Sequence, residues 1–195
     1  DRMWEWAEGD AHDPDVVAGR MVRHDSGLWV LPSPPPNVAP LVPADVASML
    51  RTLNKWHDWV VVDTPFHLGP LAPVLVHSAR LVLLVLEPEV SVLRSAPASI
   101  AAIQKLAGRD LTVWPLVNKV VAGGDVLRRQ VEQALRQPVM AMLPSDPAAS
   151  AQALMTSVPV VLGSPASPLA AGIRDLAERV QGVVGAGPLR RIPTS

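Results

Sequence analysis

Blocks of apolar residues alternate with polar stretches along the chain, and the continuous blocks predict β-strands. Each block is short and is followed by a proline or a polar residue. Apolar runs of this kind, with no alternation of polar residues, are typical of strands that are buried on both faces of a parallel sheet. The predicted strands are residues 27–31, 59–62, 81–86, 111–117 and 139–143.

Between most of these strands the apolar residues recur every three or four positions, which predicts amphipathic helices. Proline in the first turn is tolerated by a helix, but proline further along removes a hydrogen bond. For this reason Pro97 predicts that the helix before the fourth strand starts close to it. The predicted helices begin at Pro43, near Ser95, at Gly124 and at Pro168.

Strands that alternate with helices predict the α/β class, with a doubly wound, mostly parallel sheet covered by helices on both faces. We expect residues 1–26 to form an irregular lead-in, residues 27–184 to form the main domain, and residues 185–195 to form a flexible tail. In such a sheet, ligands bind at the carboxyl ends of the strands. The residues that follow each apolar run are therefore the candidate site.

Composition narrows the classes of function. Apolar residues make up 49% of the 195 residues, enough for a substantial core, and a net charge of -1 makes nucleic acid an unlikely partner. The chain has no cysteine, which excludes disulfides and thiolate metal sites and is typical of a cytoplasmic protein. The longest apolar run is too short to span a membrane. The start at Asp1 suggests a segment of a longer protein.

Asp63 is the first candidate for chemistry, because it directly follows the apolar run at residues 59–62. A carboxylate at this place is typical of a Walker B site, where it holds Mg²⁺ through water or positions an attacking water. An aspartate at the end of a strand also commonly caps the following turn. Both interpretations of Asp63 stay open on the spacing alone.

Asn118 and Lys119 end the fourth predicted strand and form the second candidate. The side-chain amide of an asparagine can pair with a purine edge. A guanine site would need an aspartate two positions after the lysine, where this chain has Val121, so guanine is disfavoured. The alternative is that Asn118 is only a turn residue.

Several other kinds of site are excluded or disfavoured. No two of the five histidines have the helical spacing of a zinc site, and there is no G-x-S-x-G motif of a serine hydrolase. Arg128, Arg129 and Arg136 give one helix a basic side, for which a solvated face is the favoured interpretation and phosphate contact the alternative. The chain also lacks G-x-x-x-x-G-K-[ST] and G-x-G-x-x-G, so it has no phosphate-binding loop of either kind.

Taken in order, four stretches resemble the MinD/ParA group of deviant-Walker P-loop ATPases, and most closely its CpaE/TadZ pilus-assembly branch. The similar stretches are HDSGLWVLPSPP, WVVVDTPFHLGPLAPVLVHSARLVLLVLEPEVSVLR, LVNKV and LPSDPAASAQALMTSVPVV. Together they cover roughly residues 22–183. The resemblance implies a truncated SIMIBI-type fold in which the Walker A loop lies upstream of Asp1.

The resemblance also implies roles for the strand-end residues. Asp63 would be the carboxylate linked to Mg²⁺ and water, and Thr64 and Pro65 would belong to the loop that senses the γ-phosphate. Asn118 and Lys119 would lie on the adenine side. Pro144, Ser145 and Asp146 would complete the base pocket. Ser157 stands where the family usually has glycine.

By the same resemblance, the full-length protein binds ATP and Mg²⁺, hydrolyses ATP weakly, forms a homodimer and positions pilus-assembly or secretion proteins. The protein would be cytoplasmic, and partner proteins would bring it to a pole or to the inner membrane. Two alternatives stay open: a degenerate, non-hydrolysing scaffold of the same fold, and an unrelated α/β protein whose strands end in polar residues.

Overall fold

The computed structural model describes residues 10–33, 42–65, 69–108, 111–121 and 124–185. Its contacts divide the chain into two compact units. The first unit extends to Ser78 and the second begins at Ala79. The predicted tail from residue 186 onward lies outside the described residues.

The first unit begins with short elements that the sequence did not predict. A 3₁₀ turn at Asp10–His12 leads into α1, Pro14–Gly19, and the Asp13 carboxylate caps α1 by accepting from the Asp15 N–H. The strands β1, Val22–Arg23, and β2, Trp29–Val30, form an antiparallel pair. The lead-in is therefore not irregular from residue 10 onward. The predicted buried strand at residues 27–31 is wrong, because only Trp29–Val30 pairs and it does so in a partly exposed hairpin.

The predicted helix at Pro43 is confirmed as α2, Pro43–Trp56. A 3₁₀ turn at Gly69–Leu71 and α3, Ala72–Ser78, follow it in the first unit. The spacing of apolar residues in α2 turns one face inward, and this face provides most of the core of the unit. The buried apolar residues of that core are Ala11, Val17, Val46, Met49, Leu50 and Leu53.

The segment Trp59–Val62 is not a strand in the structure, so that prediction is wrong. No ladder among the described residues includes it. Val60 packs against the core of the first unit, but the side chain of Val61 is 90% exposed. An apolar run becomes a strand only when a neighbouring strand satisfies its backbone groups.

The second unit contains a parallel sheet, in the order β3-β4-β5. Its strands are β3, Leu81–Leu86, β4, Thr112–Val120, and β5, Ala141–Pro144. Leu81 to Leu86 pair in register with Thr112 to Val117. The strand predicted at residues 81–86 is confirmed with the same bounds. The next predicted strand is confirmed in place, but it continues three residues further than the sequence indicated, to Val120.

Two helices follow β3 and β4 along the chain: α4, Val90–Ala107, and α5, Gly124–Leu135. The prediction that the first starts near Ser95 is wrong, because Pro97 lies inside α4. A proline in a helix interior costs about 3 kcal/mol. Leu93, Ala96 and Ile100 of α4 are buried, and full burial of one Leu or Ile contributes about 1.5 to 3 kcal/mol, which offsets that cost.

The chain after β5 forms α6, Pro147–Thr156, α7, Val160–Gly163, and α8, Pro168–Val184. The predicted start of α8 is confirmed, with the Ser167 hydroxyl accepting from the Ala170 N–H. Leu169, Ile173 and Leu176 of α8 pack on buried residues of β4 and β5. The second unit is thus a parallel sheet flanked by helices, which confirms the α/β class.

Candidate functional site

The carboxyl ends of the three parallel strands lie at one edge of the sheet in the second unit. Val120 of β4 pairs with Pro144 of β5, and the Ser145 N–H donates to the Val120 carbonyl at 2.8 Å. The ladder therefore continues to the last residues of both strands. This brings the ends of β4 and β5, with Asn118, Lys119, Pro144 and Ser145, to the same part of the sheet edge.

Asn118 and Lys119 lie inside β4 and not after it, because the strand continues through a β-bulge. The register shifts between Val117 and Val120, and Lys119 has a left-handed backbone with φ of 57°. The Lys119 N–H, freed from the ladder, donates to the Asn118 side-chain oxygen at 2.9 Å. Bulges of this kind redirect side chains next to functional sites. Here the bulge holds the Asn118 carboxamide in one orientation at the sheet edge.

Lys119 also joins β4 to the end of β3. Its Nζ lies 2.5 Å from the Oε1 of Glu87, the first residue after β3, in an exposed ion pair. The hydrogen bond to Glu87, with the charges of Glu87 and then Glu89, raises the pKa of Lys119 above its usual value. Lys119 is therefore a cation at neutral pH. In the sequence, Glu87 is marked only by its place directly after an apolar run, which assigns it no role.

Asp146 begins α6 as its N-cap. Its Oδ1 accepts from the Ala149 N–H at 3.0 Å, and its carbonyl accepts from the Ser150 hydroxyl. A carboxylate at this place satisfies a free helix N–H and interacts favourably with the helix dipole. The capping role that is common for an aspartate after a strand is therefore observed for Asp146. Its contribution to a base pocket stays a prediction.

Gly172 of α8 is a residue that the sequence analysis missed. A Cβ added there would lie 3.1 Å from Leu143 Cδ2 and 3.3 Å from Pro144 Cδ. The absence of a side chain lets α8 approach the end of β5 closely and support Pro144 from behind. The sequence signal was a glycine inside an amphipathic helical pattern, which commonly has a packing reason.

Asp63, Thr64 and Pro65 are neighbours in the first unit, exposed and outside any helix or strand. The structure therefore places the predicted phosphate-side residues in one unit and the predicted base-side residues in the other. Their joining in one site stays a prediction.

The candidate side chains can be compared with what Mg²⁺ and adenine, the ligands that the resemblance implies, require of a binding site. Among the described residues, no three His, Asp or Glu side chains cluster as a metal site. Mg²⁺ commonly uses only one or two carboxylates together with water and substrate phosphates, so a single Asp63 fits that pattern. Asn118 fits a purine edge, since its amide donors remain available after Lys119 occupies its oxygen.

No family model matches the chain. An uncharacterized ATP-binding protein of Methanocaldococcus jannaschii is 28% identical over 141 residues, which cover 72% of this chain and 52% of that protein. The chain thus spans about half the length of the curated relative that it matches.

Solved structures give the fold. A ParA family ATPase from Chlorobium tepidum superposes with a TM-score of 0.74 over 89% of this chain and 72% of that one, at 16% identity. The chain has the fold of the ParA and MinD ATPases. Pyrococcus horikoshii MinD, solved with Mg-ADP, superposes with a TM-score of 0.68 over 94% of this chain and 82% of that one, at 20% identity. MinD of Aquifex aeolicus, solved in complex with MinC, superposes with a TM-score of 0.68 over 90% of this chain and 71% of that one, also at 20% identity.

The fold is therefore the one that the resemblance implied. No described helix has the length and apolar character needed to cross a membrane.

Proposed function

We propose that this chain is the larger part of a MinD/ParA-like ATPase that binds Mg-ATP, dimerises and positions pilus-assembly or secretion machinery.

Asn118 would bind the adenine edge, with Lys119, Pro144, Ser145 and Asp146 around it. Asp63 would hold Mg²⁺ through water, and Thr64 and Pro65 would respond to the γ-phosphate. Other residues of the full protein would supply the phosphate-binding loop.

One observation carries the proposal. The bulge in β4 and the end of β5 gather Asn118, Lys119 and Pro144 at the carboxyl edge of a parallel sheet. Ligands bind at this edge in doubly wound proteins. A MinD with the same fold has been solved with Mg-ADP, which supports a nucleotide as the ligand.

The proposed partners and address follow from the resemblance of DTPFHLGP and PEVSVLR to the pilus-assembly and MinD-like loops. The full protein would act as a homodimer whose lifetime depends on the bound nucleotide. It would work in the cytoplasm and reach a pole or the inner membrane through partner proteins. The complex of a MinD with MinC supports a role in binding another protein.

The base site is tested by Asn118→Ala in the full-length protein. Removing one hydrogen-bonding group from a buried polar contact costs about 1 to 2 kcal/mol, so the Kd for nucleotide rises about tenfold. Because ATP and ADP share the adenine, the loss should be equal for both. Calorimetric titration with each nucleotide measures it.

Asn54→Ala is the matched control, because Asn54 is an exposed asparagine on α2 in the first unit. It should leave both affinities unchanged. Equal affinities for wild type and Asn118→Ala would contradict the proposed base site.

A second candidate is a non-hydrolysing scaffold of the same fold. The gene upstream of Asp1 separates the two. The ATPase proposal requires G-K-G-G-x-G-K-[ST] within about 30 to 120 residues, since that loop holds the β- and γ-phosphates. A start codon with no such loop would favour the scaffold.

A further inference from the structure

Lys119 is the one described non-glycine residue that has a left-handed backbone inside a strand. Two others, Arg136 and Ser157, directly follow the helices α5 and α6, where this conformation is a common way to end a helix. Within a strand the conformation costs free energy, and it persists only where the surrounding structure holds it. The bulge in β4 therefore depends on contacts that stabilise it against a regular ladder.

Two contacts of Lys119 hold the bulge, one through its backbone and one through its side chain. The Lys119 N–H donates to the Asn118 side-chain oxygen, which ties the bulge to the residue proposed to bind the base. The Lys119 ammonium donates to Oε1 of Glu87, which ties the bulge to the end of β3. We call this second contact the Glu87 tether. Glu87, Lys119 and Asn118 thus form a continuous chain of hydrogen bonds across two strands.

Glu87 is a firm attachment point because its backbone is held on both sides. The preceding Leu86 is buried and pairs with Val117 in the parallel ladder. On the other side, the Glu89 N–H donates to the Glu87 carbonyl at 2.8 Å, and α4 begins at the next residue. A side chain carried by such a segment restrains its partner more than one on a free loop would.

The Glu87 tether bears on Asn118 through the geometry of the bulge. A shift of one residue in the register of a strand turns its side chains to the opposite face of the sheet. If the bulge relaxes towards a regular ladder, the Lys119 N–H no longer holds the Asn118 oxygen, and the carboxamide loses its fixed orientation. A polar group that is already oriented binds its ligand more tightly, because the cost of ordering it is not incurred on binding.

We propose that Glu87 is a positioning residue of the base site, which acts through Lys119 to hold the β4 bulge and so to orient the Asn118 carboxamide. This inference rests on the proposed function, in which Asn118 binds the adenine edge. Glu87 needs no contact with the nucleotide. The side chains of Lys119 and Glu87 are 63% and 44% exposed, and an exposed ion pair changes an equilibrium constant by at most about fivefold. Glu87 therefore adjusts the affinity of the site and does not create it.

Hydrogen exchange of the Lys119 amide tests the tether without any nucleotide. In the full-length protein, Glu87→Gln keeps the side-chain length but removes the charge, so exchange at Lys119, followed by NMR, should become about two to five times faster. Glu89→Gln is the matched control, because Glu89 adds only its charge near Lys119 and makes no hydrogen bond to it. Unchanged exchange in Glu87→Gln, or an equal change in both variants, would overturn the proposal.

Nucleotide affinity tests the consequence for the base site. Glu87→Gln should raise the Kd for ATP and the Kd for ADP by the same factor of about two to five, since both carry the same base. Reversing one charge, in Glu87→Lys or Lys119→Glu, should weaken binding further, because the two side chains then repel each other. Reversing both charges together should restore the Kd to within about twofold of wild type, which a general loss of stability would not do.

The same titrations separate this inference from the proposed function. A wild type that binds neither ATP nor ADP would contradict the proposed function itself. If the wild type binds both, unchanged Kd values in Glu87→Gln would contradict the positioning role of Glu87. A doubly reversed variant that binds as weakly as Lys119→Glu alone would also overturn it, since Lys119 would then act on the nucleotide without Glu87.

Discussion

Ser157 ends α6 with a left-handed backbone, at φ of 54°. This is the position where the resembled family usually has glycine. A left-handed conformation costs a residue with a Cβ about 1 to 2 kcal/mol, whereas glycine adopts it without strain. Serine therefore ends this helix at the expense of some backbone strain.

Ser157→Gly should therefore stabilise the chain. The expected gain is about 0.5 to 1 kcal/mol, because the larger entropy of glycine in the unfolded state offsets part of the strain that is relieved. The midpoint of urea denaturation measures this. Thr156→Gly, one residue earlier and still helical, is the control and should destabilise by about 0.5 to 1 kcal/mol. Equal effects of the two glycines would show that the left-handed conformation is not strained.

The packing of α8 on β5 is the element contact that fixes the end of β5 at the candidate site. Gly172→Val would place a branched side chain against Leu143 and Pro144, which already lie within 3.3 Å of a Cβ. Such overpacking costs about 1 to 3 kcal/mol. We expect a lower melting temperature, measured by circular dichroism at 222 nm.

Gly182 provides the matched control on the same helix, because nothing lies within 4 Å of a Cβ added there. Gly182→Ala should raise stability by up to about 1 kcal/mol, as alanine favours a helix over glycine. If Gly172→Val is as stable as the wild type, α8 does not pack on β5 as described.

Element by element, the sequence predicted well wherever a local pattern decides the structure. The apolar run at Leu81–Leu86 predicted β3, and the spacing of apolar residues predicted α2, without any information from the rest of the chain. Trp59–Val62 is as apolar as β3, but a strand depends on a neighbour that its own residues do not encode. Pro97 is tolerated in α4 because the helix is held by distant strands. Both errors therefore have the same origin, since tertiary contacts override local signals.

For the candidate site, the sequence predicted which strand ends carry polar residues but not how they are held. The bulge at Lys119 depends on a register shift between β4 and β5, and the pair with Glu87 joins residues distant in sequence. Asp146 was predicted for the base pocket, and the structure adds its capping bond. The prediction that Asp63 acts with Asn118 concerns two different units and remains to be tested by the nucleotide experiments.

At the scale of the whole molecule, the last prediction is that the 195-residue chain does not hydrolyse ATP by itself. In the proposed function, Asn118 would contact the base and Asp63 would hold Mg²⁺, but none of the 12 glycines belongs to a G-x-x-x-x-G-K-[ST] loop. That loop would supply the backbone N–H groups and the lysine that neutralise the charge developing on the phosphates. Phosphate release should equal the buffer blank.

A chain extended upstream to include such a loop should hydrolyse ATP slowly, and Asp63→Ala should abolish that turnover. Activity of residues 1–195 that scales with protein concentration and disappears in Asp63→Ala would show that this chain assembles a phosphate site without a G-x-x-x-x-G-K-[ST] loop.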